Sequence, residues 1–357
     1  MTSSVVNLPH ALGTPPGKGS LKCSPEDFIV EEILGFECSG AGEHVFLHIE
    51  KRDENTEYIA RLLARFVGIP LKEVGYAGLK DRHGITRQWF SVKAPVKAEP
   101  DFSPLESAHL KILATTRNAR KLKKGAARGN RFDITLRHWR GEKSLLEHRL
   151  SQISSMGVPN YFGSQRFGHD GGNLDQALAL FAGELQRVNA HQRGLYLSAA
   201  RSEIFNRVLA VRVEQGNWNQ ALPGDVYMFP DSHSFFRADR CEDVLHRLAL
   251  GKIHPSGPLW GRGENPASDV VRALETAVAL ELQSLSRGLE GQGLEMARRP
   301  LRLWPEDMSG KWISPDSLNL RFSLPAGAYA TTLIRELMTE ETAQSPQADP
   351  VLSFQGY

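Results

Sequence analysis

The sequence predicts an α+β (mixed α/β) protein, and three features point to it. Strand-like alternation and helix-like repeats are interleaved up to about residue 157, helical patterns dominate from 159 to 299, and alternation returns at Leu318. At 357 residues the chain is longer than one hydrophobic core usually organises. Two domains, or one domain carrying a large insertion, are therefore expected.

The segment to about Gly19 is rich in Gly and Pro and reads as an irregular arm, with order beginning near Leu21. From Glu43 to Glu50, Val45, Leu47 and Ile49 fall on one side and His44, Phe46 and His48 on the other, as in a strand with one better-buried face. A helix follows: Asn55 or Thr56 can cap it, Ile59, Leu62, Leu63, Phe66 and Val67 repeat at helical spacing, and Gly68 with Pro70 stops it. EVGYAG and TRQWFSVKA then read as strands around a polar connection, Leu79 to Gly84. FDITLRH is a further strand, and a helix from Ser144 places Leu145, Leu146, Leu150 and Ile153 inward before Gly157. In the helical stretch, one helix starts near Ser198 with Ile204, Phe205, Val208 and Leu209 inward. Another runs from Ser268 with Val270, Val271, Leu274, Val278, Leu282 and Leu285. Leu318, Leu320, Phe322 and Leu324 share a strand face, then Pro325, Gly327 and a closing helix return the chain to the first domain. The tail after Glu341 reads as poorly ordered.

Composition narrows the class. With 41% apolar and 24% charged residues this is an ordinary globular protein, and a net charge of +2 leaves any nucleic-acid preference to local clustering. Cys23, Cys38 and Cys241 are odd in number and far apart, which argues against a disulfide framework or a zinc knuckle and fits a reducing cytoplasm. No secretory signal and no membrane span is read in the sequence.

Three constellations carry chemistry. In Gly75 to Gln88, Asp81 lies between Lys80 and Arg82 on a glycine-flanked loop; the two cations favour an ionised carboxylate and suit an RNA backbone. A Lys-Asp-Arg turn also occurs as a solvated salt-bridge cluster, and residue type alone leaves both readings open. Between Arg117 and Arg131 seven basic residues occur with no acidic one, including Arg120, Lys121, Lys123, Lys124 and Arg128, a density that tracks phosphates. Asn130 and Phe132 add an amide that can read a base edge and a ring that can support a stacked base. The plain alternative is a solvated basic face. Pro159 to Gly168 interleaves Tyr161, Phe162 and Phe167 with Gln165 and Arg166, suiting either RNA contact or a hinge whose rings pack between two lobes. His44 and His48 lack the order of a metalloprotease helix, and neither Gly40–Gly42 nor Gly261–Gly263 opens a nucleotide fingerprint.

Eight blocks stand in a fixed order: PEDFIVEEI around Phe28, GEHVFLHIEKRDENT from Gly42, GYAGLKDRHGITRQW from Gly75, GNRFDI from Gly129, VPNYFGSQRFG from Val158, LSAARSEIFN from Leu197, SGPLWG from Ser256 and LPAGAYATTLIREL from Leu324. Together they resemble the TruD family of tRNA pseudouridine synthases over nearly the whole chain. The resemblance implies a catalytic domain of pseudouridine synthase fold, a mixed sheet with flanking helices, interrupted by a large helix-rich insertion. It divides the chain into 1–156 (catalytic, first part), 157–303 (insertion), 304–342 (returning strand and helix) and a 343–357 tail. It implies that Asp81 is the essential nucleophile, that Lys22, Phe28, Asn130 and Phe132 line the uridine pocket, and that Tyr329 supplies a further ring where the family often has Phe. The implied substrate is uridine 13 in the D-arm of tRNA.

That chemistry breaks the C1′–N1 bond, turns the detached uracil and joins C1′ to C5, so no oxidant, imported group, cofactor or metal is required. It needs a carboxylate on the sugar side, attacking C1′ or assisting removal of the C2′ proton, and a pocket that retains the base. Two rivals remain: a non-catalytic RNA-binding or RNA-remodelling protein using the same cleft, and a metal-dependent nuclease built on Asp81, Glu43 and Glu50. A monomer is expected.

Overall fold

The structure, a computed structural model, describes residues 8–96, 100–185, 187–230 and 232–341. The tail expected at 343–357 lies outside them. The first half comprises β1 (Gly17–Ser20), β2 (Phe28–Leu34), β3 (His44–Arg52), α1 (Thr56–Val67), β4 (Gly75–Tyr76), β5 (Ile85–Lys93), β6 (Leu110–Asn118), β7 (Ala127–Gly141) and α2 (Lys143–Met156). Next come β8 (Val158–Pro159), α3 (Gly172–Phe181), α4 (Ala190–Glu214), β9 (Val226–Met228), β10 (Phe235–Arg237), α5 (Glu242–Ala249) and β11 (His254–Leu259). The chain closes through α6 (Asp269–Glu281), α7 (Gln283–Gly291), β12 (Ala297–Pro300), β13 (Arg302–Leu303), β14 (Glu306–Ser314), β15 (Ser317–Pro325), α8 (Ala330–Leu337) and β16 (Thr339–Glu340).

One ten-stranded sheet organises both ends of the chain, in the order β14-β15-β7-β2-β5-β3-β6, with β4 on β5 and with β1 joining β7 to β16. Among the described strands of this sheet, β2–β5 and β1–β16 pair in parallel and the other pairs are antiparallel. The fifteen-residue β7 is its spine, pairing with β2 on one edge and β15 on the other. Register matters here: Asn130 lies opposite Glu32 and Leu324, and Phe132 opposite Val30 and Phe322. One apolar core packs α2 and α8 onto Phe28, Phe132, Ile134, Leu320 and Phe322; a second packs α1, through Ile59 and Leu63, onto Val45, Leu47 and Ile49. Gly68, at φ 74°, ends α1 in the left-handed region that its missing Cβ makes accessible.

The chain between β8 and β13 builds separate layers. Helices α3, α4, α6 and α7 share a core around Ile204, Val208 and Leu289, beside a four-stranded sheet in the order β10-β9-β11-β12. Its entry and exit run side by side, because Val158 pairs with Leu303 and Pro159 with Arg302.

Several expectations need correction. Order begins before Leu21: β1 is a strand, and Leu12 packs on the first core while its N–H bonds Glu336. Phe46 is as buried as Leu47, because Ala77 and Leu122 cover the second face of β3. The helix placed near Ser198 starts at Ala190, capped by Asn189, whose side chain accepts from the Gln192 N–H; its first turns are exposed and so carry no apolar repeat. The helix from Ser268 is two helices meeting at Leu282. Leu145 and Val270, expected inside, are 50% and 54% exposed. The small sheet was not anticipated, since β11 reads HPSGPL and its Pro and Gly residues resemble a loop.

Candidate active site

Asp81 sits on the loop between β4 and β5, and that loop is held from several sides. Thr56, at the start of α1, accepts from the Lys80 N–H at 3.0 Å and donates to Gln88 at 2.8 Å, while the Gln88 amide bonds the Gly78 carbonyl. Asp53 closes the far end: its backbone N–H bonds the Gly84 carbonyl at 3.1 Å and its carboxylate accepts from the Gly84 N–H at 3.2 Å. Gly84 has no substitute there, for its φ is +127° and a Cβ would lie 2.5 Å from the Phe28 carbonyl oxygen. The site is thus assembled at the end of the sheet's parallel pair, where β2 and β5 run together.

A cavity of about 350 Å³ opens beside this loop. It lies at the small end of the roughly 300–1,000 Å³ typical of small-molecule sites. Asp81 lines it together with Phe28 and Val30 from β2, Ala77 to Lys80 from the loop, Asn130 and Phe132 from β7, Gln165, and the turn from Ala326 to Thr331. Phe132 stacks on Phe322 at 5.4 Å and meets Phe28 edge-on at 6.5 Å, so these rings are fixed by the core behind them. The Asn130 side-chain oxygen is buried and has no hydrogen-bond partner within the protein. An acceptor left unpaired in an apolar wall is costly unless something arrives to meet it, roughly 1–3 kcal/mol.

The cations are distributed differently from the order in sequence. Asp81 pairs with Lys22, whose ammonium lies 3.3 Å from its carboxylate and 4.0 Å from the Phe28 ring centre. Lys22 adopts φ 54°, a left-handed conformation uncommon for a residue with a Cβ and one that recurs at functional sites. Lys80 turns away into a buried ion pair, 2.7 Å from Glu32, whose other oxygen accepts from the Trp89 N–H. Arg82 lies exposed against the Asp53 carbonyl at 3.4 Å. Below the loop, Lys51 is fully buried and donates to the Asp81 carbonyl at 2.8 Å and the Glu54 carbonyl at 2.6 Å. Burial lowers its pKa to about 8, against the pull of Asp81.

The aromatic turn forms one wall. Phe162 and Tyr329 meet edge-on at 6.3 Å, Arg166 lies over both rings, and Arg299 covers Phe162 at 4.1 Å while bonding Asn160 and the Gly327 carbonyl. Burial pushes the Arg299 guanidinium down to about 10. Both readings of this turn meet here: its rings pack between the two lobes, and Gln165 reaches the cavity. The basic run reaches the cavity through Gly125 and Ala127. The Gly125 N–H bonds the Ala77 carbonyl, Lys121 reaches the Lys72 carbonyl, and Lys124 lies 6.0 Å from the Tyr76 ring centre. Arg120, Lys123, Lys124 and Arg128 are exposed, Arg128 3.6 Å from Glu306.

Glu43 and Glu50, the carboxylates of the nuclease rival, do not join Asp81: Glu43 pairs with Lys93, and Glu50 with Arg87 and Lys111. His48 stacks on Trp89 at 4.8 Å. Among the described residues no group of three or more His, Cys, Asp or Glu side chains is placed to hold a metal ion. Sequence reasoning missed Lys51, Glu32, Thr56, Gln88 and Asp53. For Lys51 the signal was present, since it continues the Val45, Leu47, Ile49 stripe and so had to lie on the buried face.

The family model described as tRNA pseudouridine synthase D (TruD) matches residues 8–177 and 172–337. The tRNA pseudouridine synthase D of Methylococcus capsulatus is 51% identical over 333 residues, covering 93% of this chain and 94% of its own. That of Nitrosococcus oceani is 50% identical over 341 residues, covering 94% and 95%. A crystal structure assigned to TruD of Methanosarcina mazei aligns with a TM-score of 0.68 at 24% identity, over 92% of this chain and 95% of that one, which speaks to the fold. With a matching model across most of its length and relatives at half identity, the chain belongs to the TruD family of tRNA pseudouridine synthases.

Proposed function

We propose that the protein isomerises uridine in tRNA to pseudouridine, at uridine 13 of the D-arm, with Asp81 as the catalytic carboxylate. The observation that carries this reading is the convergence of Asp81, Phe28, Asn130, Phe132 and Tyr329, from four separate stretches of chain, on one cavity with an unpaired amide oxygen in its wall. The target nucleotide leaves its stack, at roughly a few kcal/mol, and enters between the rings of Phe28, Phe132 and Tyr329. Asp81 acts on the sugar while Lys22 neutralises and orients it. C1′–N1 breaks, the uracil turns within the cavity held through Asn130, and C1′–C5 forms; the C5 proton leaves and N1 gains one, so atoms balance with no cofactor or metal.

Arg120, Lys121, Lys123, Lys124 and Arg128 hold the tRNA backbone beside the pocket, supplying the binding energy that opens the stack. Lys80 and Arg82 contribute by fixing the loop. The catalytic domain comprises 1–156 and 304–342, and 157–303 is the insertion; the protein works as a cytoplasmic monomer. Asp81→Asn tests the reading. It should bind tRNA as the parent does and form pseudouridine at least about 10³-fold more slowly, as loss of an essential catalytic group does; turnover within tenfold of the parent removes Asp81 from the mechanism.

A further inference from the structure

Along β3, Val45, Leu47 and Ile49 face the core under α1, and Lys51 continues that stripe with no exposed surface. A methionine would fill such a position without desolvating a charge. The ammonium instead reaches two main-chain oxygens, those of Glu54 and of Asp81 itself. The ionisable groups facing it are Asp81 and Lys80 on the loop and Asp53 and Glu54 on the turn after β3.

We propose that Lys51 is a positioning residue for the reaction: by gripping the Asp81 carbonyl from beneath, its buried ammonium holds the loop peptide so that the carboxylate faces the uridine pocket. The inference rests on Asp81 being the catalytic carboxylate. Lys22 touches the carboxylate from the open side and Lys51 touches the peptide from the closed side, so the residue is held at both ends. Misplacing a catalytic group by about 1 Å costs on the order of 10²-fold in rate.

Because folding lowers the Lys51 pKa from 10.5 to about 8, the contribution of Lys51 to stability and its contribution to activity should respond to alkali in opposite directions. The cost of burying the ammonium is fully present below pH 8 and fades as pH rises from about 8 toward 10.5, so the penalty from this group is relieved. The grip on the loop weakens over the same range, so kcat falls.

The test measures kcat, KM and tRNA affinity between pH 6.5 and about 10 for the parent, Lys51→Met, Lys51→Arg and Asp81→Asn, with melting curves for each. Lys51→Met should lose on the order of 10²-fold in kcat with KM and affinity within about twofold. The parent's kcat should fall on the alkaline side near pH 8, and Lys51→Arg should move that fall beyond the range. A folded Lys51→Met with parental kcat overturns the proposal, as does the same alkaline limb in the parent and Lys51→Arg. Should Lys51→Met not fold, the Lys51→Arg profile decides alone. An active Asp81→Asn sinks the catalytic reading itself, whereas an inactive Asp81→Asn beside parental Lys51 variants sinks only the role of Lys51.

Discussion

Two basic, glycine-punctuated segments lie against each other, the Asp81 loop and the turn from Arg120 to Arg128, and they use their cations in opposite ways. On and under the loop the ammonium groups are committed: Lys80 to Glu32, Lys22 to Asp81, Lys51 to two carbonyls. On the turn, Lys123 and Lys124 extend into solvent. Burial makes the Lys80 and Lys51 charges specific, because a desolvated cation tolerates one geometry, whereas solvated charges act collectively and are screened by salt. The first arrangement suits a reaction that needs one carboxylate in one place. The second suits a polyanion whose phosphates are interchangeable.

The sharpest way to break this contrast is Glu32→Gln. It leaves the Lys80 ammonium, 10% exposed, without its carboxylate, and breaking a buried pair from one side typically costs about 3–5 kcal/mol. Chemical denaturation should register that loss. A change below about 1 kcal/mol would mean that the loop is not held by its ion pair. Removing charge from Lys121, Lys123 and Lys124 together should instead leave the melting transition in place. It should weaken tRNA binding and reduce the slope of log affinity against log salt by about 2 to 3, close to one for each phosphate no longer neutralised. An unchanged slope would return the turn to an ordinary solvated face.

The same contrast explains what the sequence made legible. Asp81, Phe28, Asn130, Phe132 and Tyr329 were legible as candidates because each sits in a block of distinctive residues, and all five line one cavity. The partner of Asp81 was not. Lys80 and Arg82 adjoin it in the chain, but Lys80 turns to Glu32 on β2 and Arg82 to the Asp53 carbonyl, and the ion pair comes from Lys22, 59 positions earlier. Adjacency cannot reveal a partner that the pairing of β2 with β5 supplies. Helices such as α1 were legible from their repeat and stop signals. The strand HPSGPL was not, because Pro and Gly serve there in a short sheet whose order is imposed by its neighbours.

The smallest expected effect is at Tyr329. Tyr329 lines the cavity, and its ring meets Phe162 edge-on at 6.3 Å and lies beneath Arg166. If the ring supports the base, Tyr329→Phe should keep kcat within about twofold, and Tyr329→Ala should lose about 10- to 10²-fold, matching the roughly 1–3 kcal/mol of a base–aromatic stack. Measured side by side, the pair separates ring from hydroxyl. A Phe variant as impaired as the Ala variant would give the hydroxyl a part in the chemistry, making this wall of the pocket as exacting as the loop that carries Asp81.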